Sequence, residues 1–247
     1  LQISNPNGRS NYEVLRPYVT GSDVLRKYTN EFVIDFGDSM SLENASGYEL
    51  PFEFIKKNVY PERVNNPRAS RRERWWLHAD PQPAMRKAIE NLDRYIATVR
   101  VAKHRIFIWL EKEILCSNKL IVIARNDDYF FGVLHSHVHE IWSLVNSSRH
   151  GDGSDGGRPT YTPSTCFETF PFPWPPGKEP PDDPRVQAIA QAAKELAEMR
   201  DRWLNAAGLS EAERKKRTLT NLYNARPTWL DLAHNKLDAA VFAAYGW

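Results

Sequence analysis

Apolar positions recur along the chain with two periods, and the places where the period changes mark its elements. FVIDF at 32–36 is a short apolar run closed by Gly37-Asp38 and reads as a buried strand, while residues 41–58 read as one or two short helices interrupted at Pro51. Pro83 stands near a first turn, and Met85, Ile89, Leu92 and Ile96 follow at helical spacing, which predicts an amphipathic helix from about 83 to 97. The pattern then changes to that of strands in HRIFIWL (104–110), KLIVIA (119–124) and YFFGVL (129–134), the last two joined as a hairpin by Arg125-Asn126-Asp127-Asp128. Leu134, Val138, Ile141, Trp142 and Val145 return to helical spacing. The Ala-rich stretch 187–207 and residues 228–245 form two more helical patterns.

These elements sum to an α+β fold: a mixed or antiparallel sheet with packed helices, followed by a smaller all-helical C-terminal subdomain. The polar stretches between them complete the organisation. YPERVNNPRASRRERWW reads as a mobile basic connection that ends in aromatic anchors at Trp75 and Trp76. SSRHGDGSDGGRPT at 147–160 holds four glycines and almost nothing apolar, so it reads as a long exposed loop. FETFPFPWPP alternates aromatic residues with proline, which excludes a helix interior or a central strand and predicts an extended segment along a surface.

Composition narrows the class. A chain of 247 residues, 41% hydrophobic, can bury a sizeable core, and apolar runs such as IFIWL (106–110) and LIVIA (120–124) are far shorter than the about 20 residues a membrane-spanning helix needs. The first residues lack an initiating Met, a charged start and a secretory apolar stretch, which reads as a chain that begins within a longer polypeptide. Cys116 and Cys166 have no CxxC spacing, so no disulfide framework or thiolate metal cage is suggested and a reducing cytoplasm fits. Net charge is only +2, but its distribution is uneven: residues 31–55 carry six acids and no Lys or Arg, whereas 61–105 carries eleven bases against five acids. A local basic face would neutralise phosphates without reading sequence.

Catalytic chemistry is not supported by any motif. His135, His137 and His139 with Glu140 are the densest set of metal-ligand types, but the helical spacing through Val145 makes alternate residues diverge. Glu213-Arg214-Lys215 matches the acid-x-Lys triplet of a two-metal nuclease only within the charged run EAERKKR, which reads as a solvated helix face. There is no GxSxG elbow for a hydrolase. A methyltransferase needs a Gly-rich strand-to-helix turn and, for an exocyclic amine, an Asx-Pro-Pro-aromatic tetrapeptide; FGDS at 36–39 lacks the second glycine, and the Pro-Pro pairs follow Trp174 and Glu179.

An ordered series of segments carries a resemblance instead: RPYVTGSDV (16–24), FVIDFG (32–37), YPERV (60–64), WW (75–76), KHR (103–105), IARNDDYFFGVLHSHVHEIW (123–142), YTPSTCFETFPFP (161–173) and LTNLYNARPTWLDLAHNKLDAAVFAAYGW (219–247). Together they resemble the C-terminal half of large single-chain DNA methyltransferases of restriction-modification systems, the type IIG or IIL class, across nearly the whole chain. The resemblance implies a target recognition domain over residues 1–175 and a helical C-terminal element over 176–247. It also implies double-stranded DNA and the methyltransferase core of the same polypeptide as partners. The chain itself would use no cofactor, and the parent enzyme, an adenine-N6 methyltransferase, would use S-adenosylmethionine, with Mg²⁺ if a nuclease is present.

Within that reading, base contacts are expected from the Gly-rich loop, at Arg149, His150, Asp152, Asp155 and Arg158, because Arg paired to guanine is the commonest specific contact. Phosphate contacts are expected from Arg71, Arg72, Arg74, Lys103, His104 and Arg105, with Ser136 and His137 as further candidates. Trp75, Trp76, Phe167, Phe170 and Phe172 read as core and hinge anchors. The competing function is a structural or protein-interaction domain whose basic residues serve solubility.

Overall fold

The computed structural model describes residues 5–26, 29–151 and 156–247. In chain order it runs through β1 (Leu15–Val19), α1 (Gly21–Leu25), β2 (Glu31–Ile34), α2 (Leu42–Ser46), α3 (Glu49–Asn58), α4 (Tyr60–Arg63), α5 (Ala69–Glu73) and α6 (Pro83–Ile89). There follow β3 (Arg94–Val99), β4 (Phe107–Glu111), β5 (Leu115–Cys116), β6 (Leu120–Ile123), α7 (Asp128–His135), α8 (His137–Val145), β7 (Ser148–His150) and β8 (Arg158–Thr160). After a π-helical turn at Pro163–Phe167 the chain ends in α9 (Pro184–Leu204), α10 (Glu211–Lys216), α11 (Leu219–Ala225) and α12 (Thr228–Tyr245). The fold is α+β, with small antiparallel sheets and a helical C-terminal region. No helix among the described residues is long and apolar enough to cross a membrane.

Two compact units share the chain: one comprises residues 1–19, 30–91 and 112–115, the other 20–29, 92–111 and 116–247. Within the second unit α9 and α12 pack with α7.

In the first unit, β1 pairs antiparallel with β2, from Leu15 opposite Ile34 to Tyr18 opposite Glu31. Its core gathers Val14, Phe36, Ala45, Tyr48, Phe52, Ile55 and Leu77, with Trp75 and Trp76 packed on it as the anchors the sequence suggests. Trp76 donates its indole N–H to Met40 O at 2.8 Å. The expected basic connection contains two helical turns, α4 and α5, and Arg63 fastens its far end by donating to Leu77 O at 2.6 Å. Two local readings change. Pro51 lies in the first turn of α3, where its missing N–H costs nothing, so the helices separate at Gly47-Tyr48 and not at the proline. The 32–36 strand is not fully buried: β2 is an edge strand whose Phe32 is 62% exposed.

In the second unit, β3 is the central strand of the order β4-β3-β6, antiparallel on both sides. This corrects the expected 83–97 helix, which ends at Ile89. After Asn91-Leu92-Asp93, the β-formers Tyr95, Ile96, Thr98 and Val99 are buried in the strand. YFFGVL is also corrected, from strand to the interior of α7. Asp127 caps that helix by accepting from the Phe130 amide at 2.8 Å, and Tyr129 to His135 are all buried. A helix buried on every side has no polar face to reveal its period. The 147–160 loop contains a hairpin stem, since β7 and β8 pair.

Arg200 of α9 is the polar centre of this unit. It is 4% exposed and donates to Phe107 O in β4 at 3.0 Å, to His135 Nε2 in α7 at 2.8 Å and to Tyr223 Oη in α11 at 3.3 Å. Gly132 lets α7 approach α9. A methyl group at this position would sit 2.8 Å from Ile189 Cγ2 and 2.9 Å from Ala193 Cβ, inside van der Waals contact.

Gly132→Ala is therefore expected to destabilise the chain by about 1–3 kcal/mol through overpacking, read as a lower urea midpoint. Arg200→Met, which fills similar space but leaves Phe107 O and Tyr223 Oη short of a donor, is expected to cost about 3 kcal/mol. An unchanged midpoint in either variant would show that the α7–α9 contact does not limit stability.

Candidate nucleic-acid interface

The expected base-reading segment is a two-stranded ribbon. Ser148 pairs with Thr160, Arg149 with Pro159 and His150 with Arg158. Because strand side chains alternate, His150 and Arg158 share one face and Arg149 points to the other. All three are exposed. Arg149 Nη1 reaches back to Gly157 O at 3.2 Å, so its guanidinium also braces the hairpin end. Gly157 itself has φ +80°, and a Cβ there would meet Gly151 O at 2.5 Å, which restricts the turn to glycine. Asp152 and Asp155 lie outside the described residues.

The root of the ribbon is fixed to the sheet. Thr160 bridges to Val101, Tyr161 N donates to Arg100 O at 2.7 Å, and Tyr161 is wholly buried. Its hydroxyl lies 3.1 Å from His139 Nε2, while His139 Nδ1 lies 2.9 Å from Leu134 O. A carbonyl only accepts, so the proton is on Nδ1 and Tyr161 donates to Nε2. Arg105 stacks on the Tyr161 ring with Cζ 4.7 Å from its centroid.

Two of the expected phosphate contacts are thereby structural. Arg105 is 8% exposed and donates to Val99 O at 2.6 Å, and Ser136 is fully buried as the cap of α8, accepting from the His139 amide. Neither side chain faces solvent, because each closes an otherwise unpaired backbone group. The three clustered imidazoles are also separated: His135 and His139 are interior with different partners, and His137 is exposed near Glu140. Lys103 Nζ and His104 Nε2 meet at Asn224 Oδ1, at 2.8 and 2.9 Å. In the other unit, Arg72 and Arg74 are exposed and Arg71 half-buried, on and just after α5.

The first unit also carries a groove that no sequence motif marks. It has a volume of about 380 Å³ and is lined by Phe32 and Ile34 of β2, Phe54 and Ile55 of α3, Arg63, and Trp75. The only signal is compositional: an apolar strand at 32–36, which reads as buried, and Phe52 and Phe54 in the helical stretch that follows.

The buried histidines share one electrostatic state. Burial pulls His139 down to about 3 and His234 down to about 4, the latter helped by the Arg200 charge. His135 is held well below its ordinary value by burial and then by Arg200. Its Nε2 accepts from both Arg200 and the Phe107 amide, so a proton there would replace two hydrogen bonds with a repulsion.

No protein-family model matches the chain, and no curated protein matches it. Among solved structures it is similar to the type IIL restriction-modification enzyme MmeI in complex with DNA, with 20% identity and a TM-score of 0.66 over 96% of this chain. The chain spans 28% of the length of that enzyme chain, and at this identity the likeness establishes the fold.

Since His135, His139 and His234 are neutral in the folded chain, the unfolded chain binds protons first as the pH falls below about 6.5. Stability is complete above that pH and is expected to decline toward pH 4 by about 1.4 kcal/mol per pH unit per histidine. Urea unfolding at intervals from pH 7.5 to 5 measures the slope, and His234→Gln should remove about one proton from it. A midpoint that does not move across this range would contradict the neutral assignment.

Proposed function

We propose that this chain reads double-stranded DNA sequence on behalf of a site-specific adenine-N6 methyltransferase or restriction enzyme, and has no catalytic role of its own. The observation that carries this is the exposed β7–β8 ribbon, with His150 and Arg158 on one face and Arg149 on the other, rooted in a buried tyrosine–histidine bond. The major groove of B-DNA admits a two-stranded ribbon, and Arg reads guanine through two hydrogen bonds. The fold likeness to a restriction-modification enzyme solved with DNA supports the same assignment. Phosphate contacts fall to Lys103, His104 and His137 in one unit and to Arg71, Arg72 and Arg74 in the other, each set on its own unit. S-adenosylmethionine, and Mg²⁺ for any nuclease, belong to the methyltransferase core and the rest of the parent enzyme.

A second reading, an assembly domain, is favoured by one feature: a groove lined by Val138, Ile141, Trp142, Val145, Phe242 and Trp247, with the large side chains Val145 and Trp247 mostly exposed.

Fluorescence anisotropy on a random-sequence duplex pool across a salt series separates the two. A reader should lose affinity with a log–log slope of about −0.9 per phosphate neutralised, and sequencing of the bound fraction should return a motif. Arg158→Ala should cost about 1–3 kcal/mol on the selected site and relax one position. Arg71→Ala should weaken all sequences alike and reduce the slope by about one. Absence of binding at low salt would favour the assembly domain.

A further inference from the structure

The groove of the first unit combines three features that an ordinary core edge lacks. Two large rings are left in water, Phe32 at 62% and Phe54 at 60% exposure, on opposite walls formed by β2 and α3. One arginine lines it and a second stands near that one. Arg63 lines the groove, and Arg71 lies close enough that its charge, after burial, pulls the Arg63 guanidinium below its usual value, against a weaker opposing effect of Glu62. The side chains of Arg71 and Arg74 have no ion-pair or hydrogen-bond partner among the described residues, while Arg72 has only Glu73 at 3.9 Å and Asn66 O. Two neighbouring guanidiniums with little acid between them favour an anion that bridges them.

The occupant must therefore offer a flat apolar face and an adjacent negative charge. A volume of about 380 Å³ is near the lower end of small-ligand sites, which run from about 300 to 1,000 Å³. It is too small for a duplex edge. Within DNA, only an unpaired base exposes its face to a ring, and base–aromatic stacking is sequence-tolerant. A peptide strand added to the open edge of β2 would use the rings but leave the arginines unmatched. The groove between α8 and the chain's end in the other unit has rings but no arginine or lysine lining it.

We propose that the groove between β2 and α3 holds an unpaired nucleobase of DNA, stacked against Phe32 and Phe54, with its adjoining phosphate on Arg63 and Arg71. This rests on the DNA-reading function and names a contact separate from the β7–β8 ribbon.

The test compares the chain's affinity, by anisotropy, for a fully paired duplex and for the same duplex with one unpaired thymine. The unpaired base should tighten binding about 5- to 150-fold, the equivalent of about 1–3 kcal/mol of stacking, and quench the tryptophan fluorescence from Trp75 and Trp76. Phe32→Ser and Phe54→Ser, both at exposed positions, should melt as the parent does, bind the paired duplex unchanged and lose the preference. Equal affinity for the two duplexes overturns the proposal. So does a preference that survives both substitutions, since a bulge also bends DNA more readily. Self-association that Phe32→Ser abolishes, with equal affinity for both duplexes, overturns it in favour of strand addition by a second copy. Binding of neither duplex would instead overturn the DNA-reading function itself.

Discussion

A single buried guanidinium sets the arrangement of the larger unit. Arg200 has lost its water, and its two terminal nitrogens donate to β4, α7 and α11 at once. Desolvating a charge costs several kcal/mol, so the helix bearing it is stable in its docked position only with these partners in place. This demand propagates. His135 must keep its Nε2 lone pair free, which places its proton on Nδ1 against Phe131 O, and Tyr223, receiving from Arg200, is left to donate to His234 Nε2 at 3.1 Å. Each protonation state follows from its neighbour, and the chain of bonds reaches α12.

The same logic is repeated near the ribbon. Arg105, Tyr161 and His139 join the end of β8 to α8 through a second buried polar set, and Phe107 packs its ring against both His135 and His139. An element proposed to read bases has conflicting needs. Its side chains must be in water to meet a ligand, yet their positions must be defined within a fraction of an ångström to discriminate bases. Here the exposed Arg158, with His150 paired opposite it, stands a few residues from a tyrosine that is entirely buried. Rigidity comes from the root and accessibility from the end.

In the smaller unit the division of labour differs. Asp35 is buried and takes both terminal nitrogens of Arg86, at 2.8 and 2.9 Å, so one cation is spent on structure. The arginines of α5 are left largely to solvent. A net charge of +2 hides this separation, since many acids and bases cancel in the sum while occupying different surfaces.

The sequence by itself determined the fold class, the long C-terminal helices, the flanking β4 and β6 runs and the aromatic anchors at Trp75 and Trp76, because each is written in local periodicity or in a proline's fixed geometry. It also marked Arg149, His150 and Arg158 as exposed, since glycine and charge without apolar residues belong in water. Tertiary structure decided the rest. YFFGVL became a helix because burial on all sides erases the polar face that would have betrayed its period. RYIATV became the central strand because a vacancy between β4 and β6 rewards β-formers over a continued helix. Arg105 and Ser136 read as surface donors but lie inside, and Phe32 reads as core but lies in water. A residue's type fixes what bonds it can make; only the packed chain determines which partner reaches it first and whether water is there to compete.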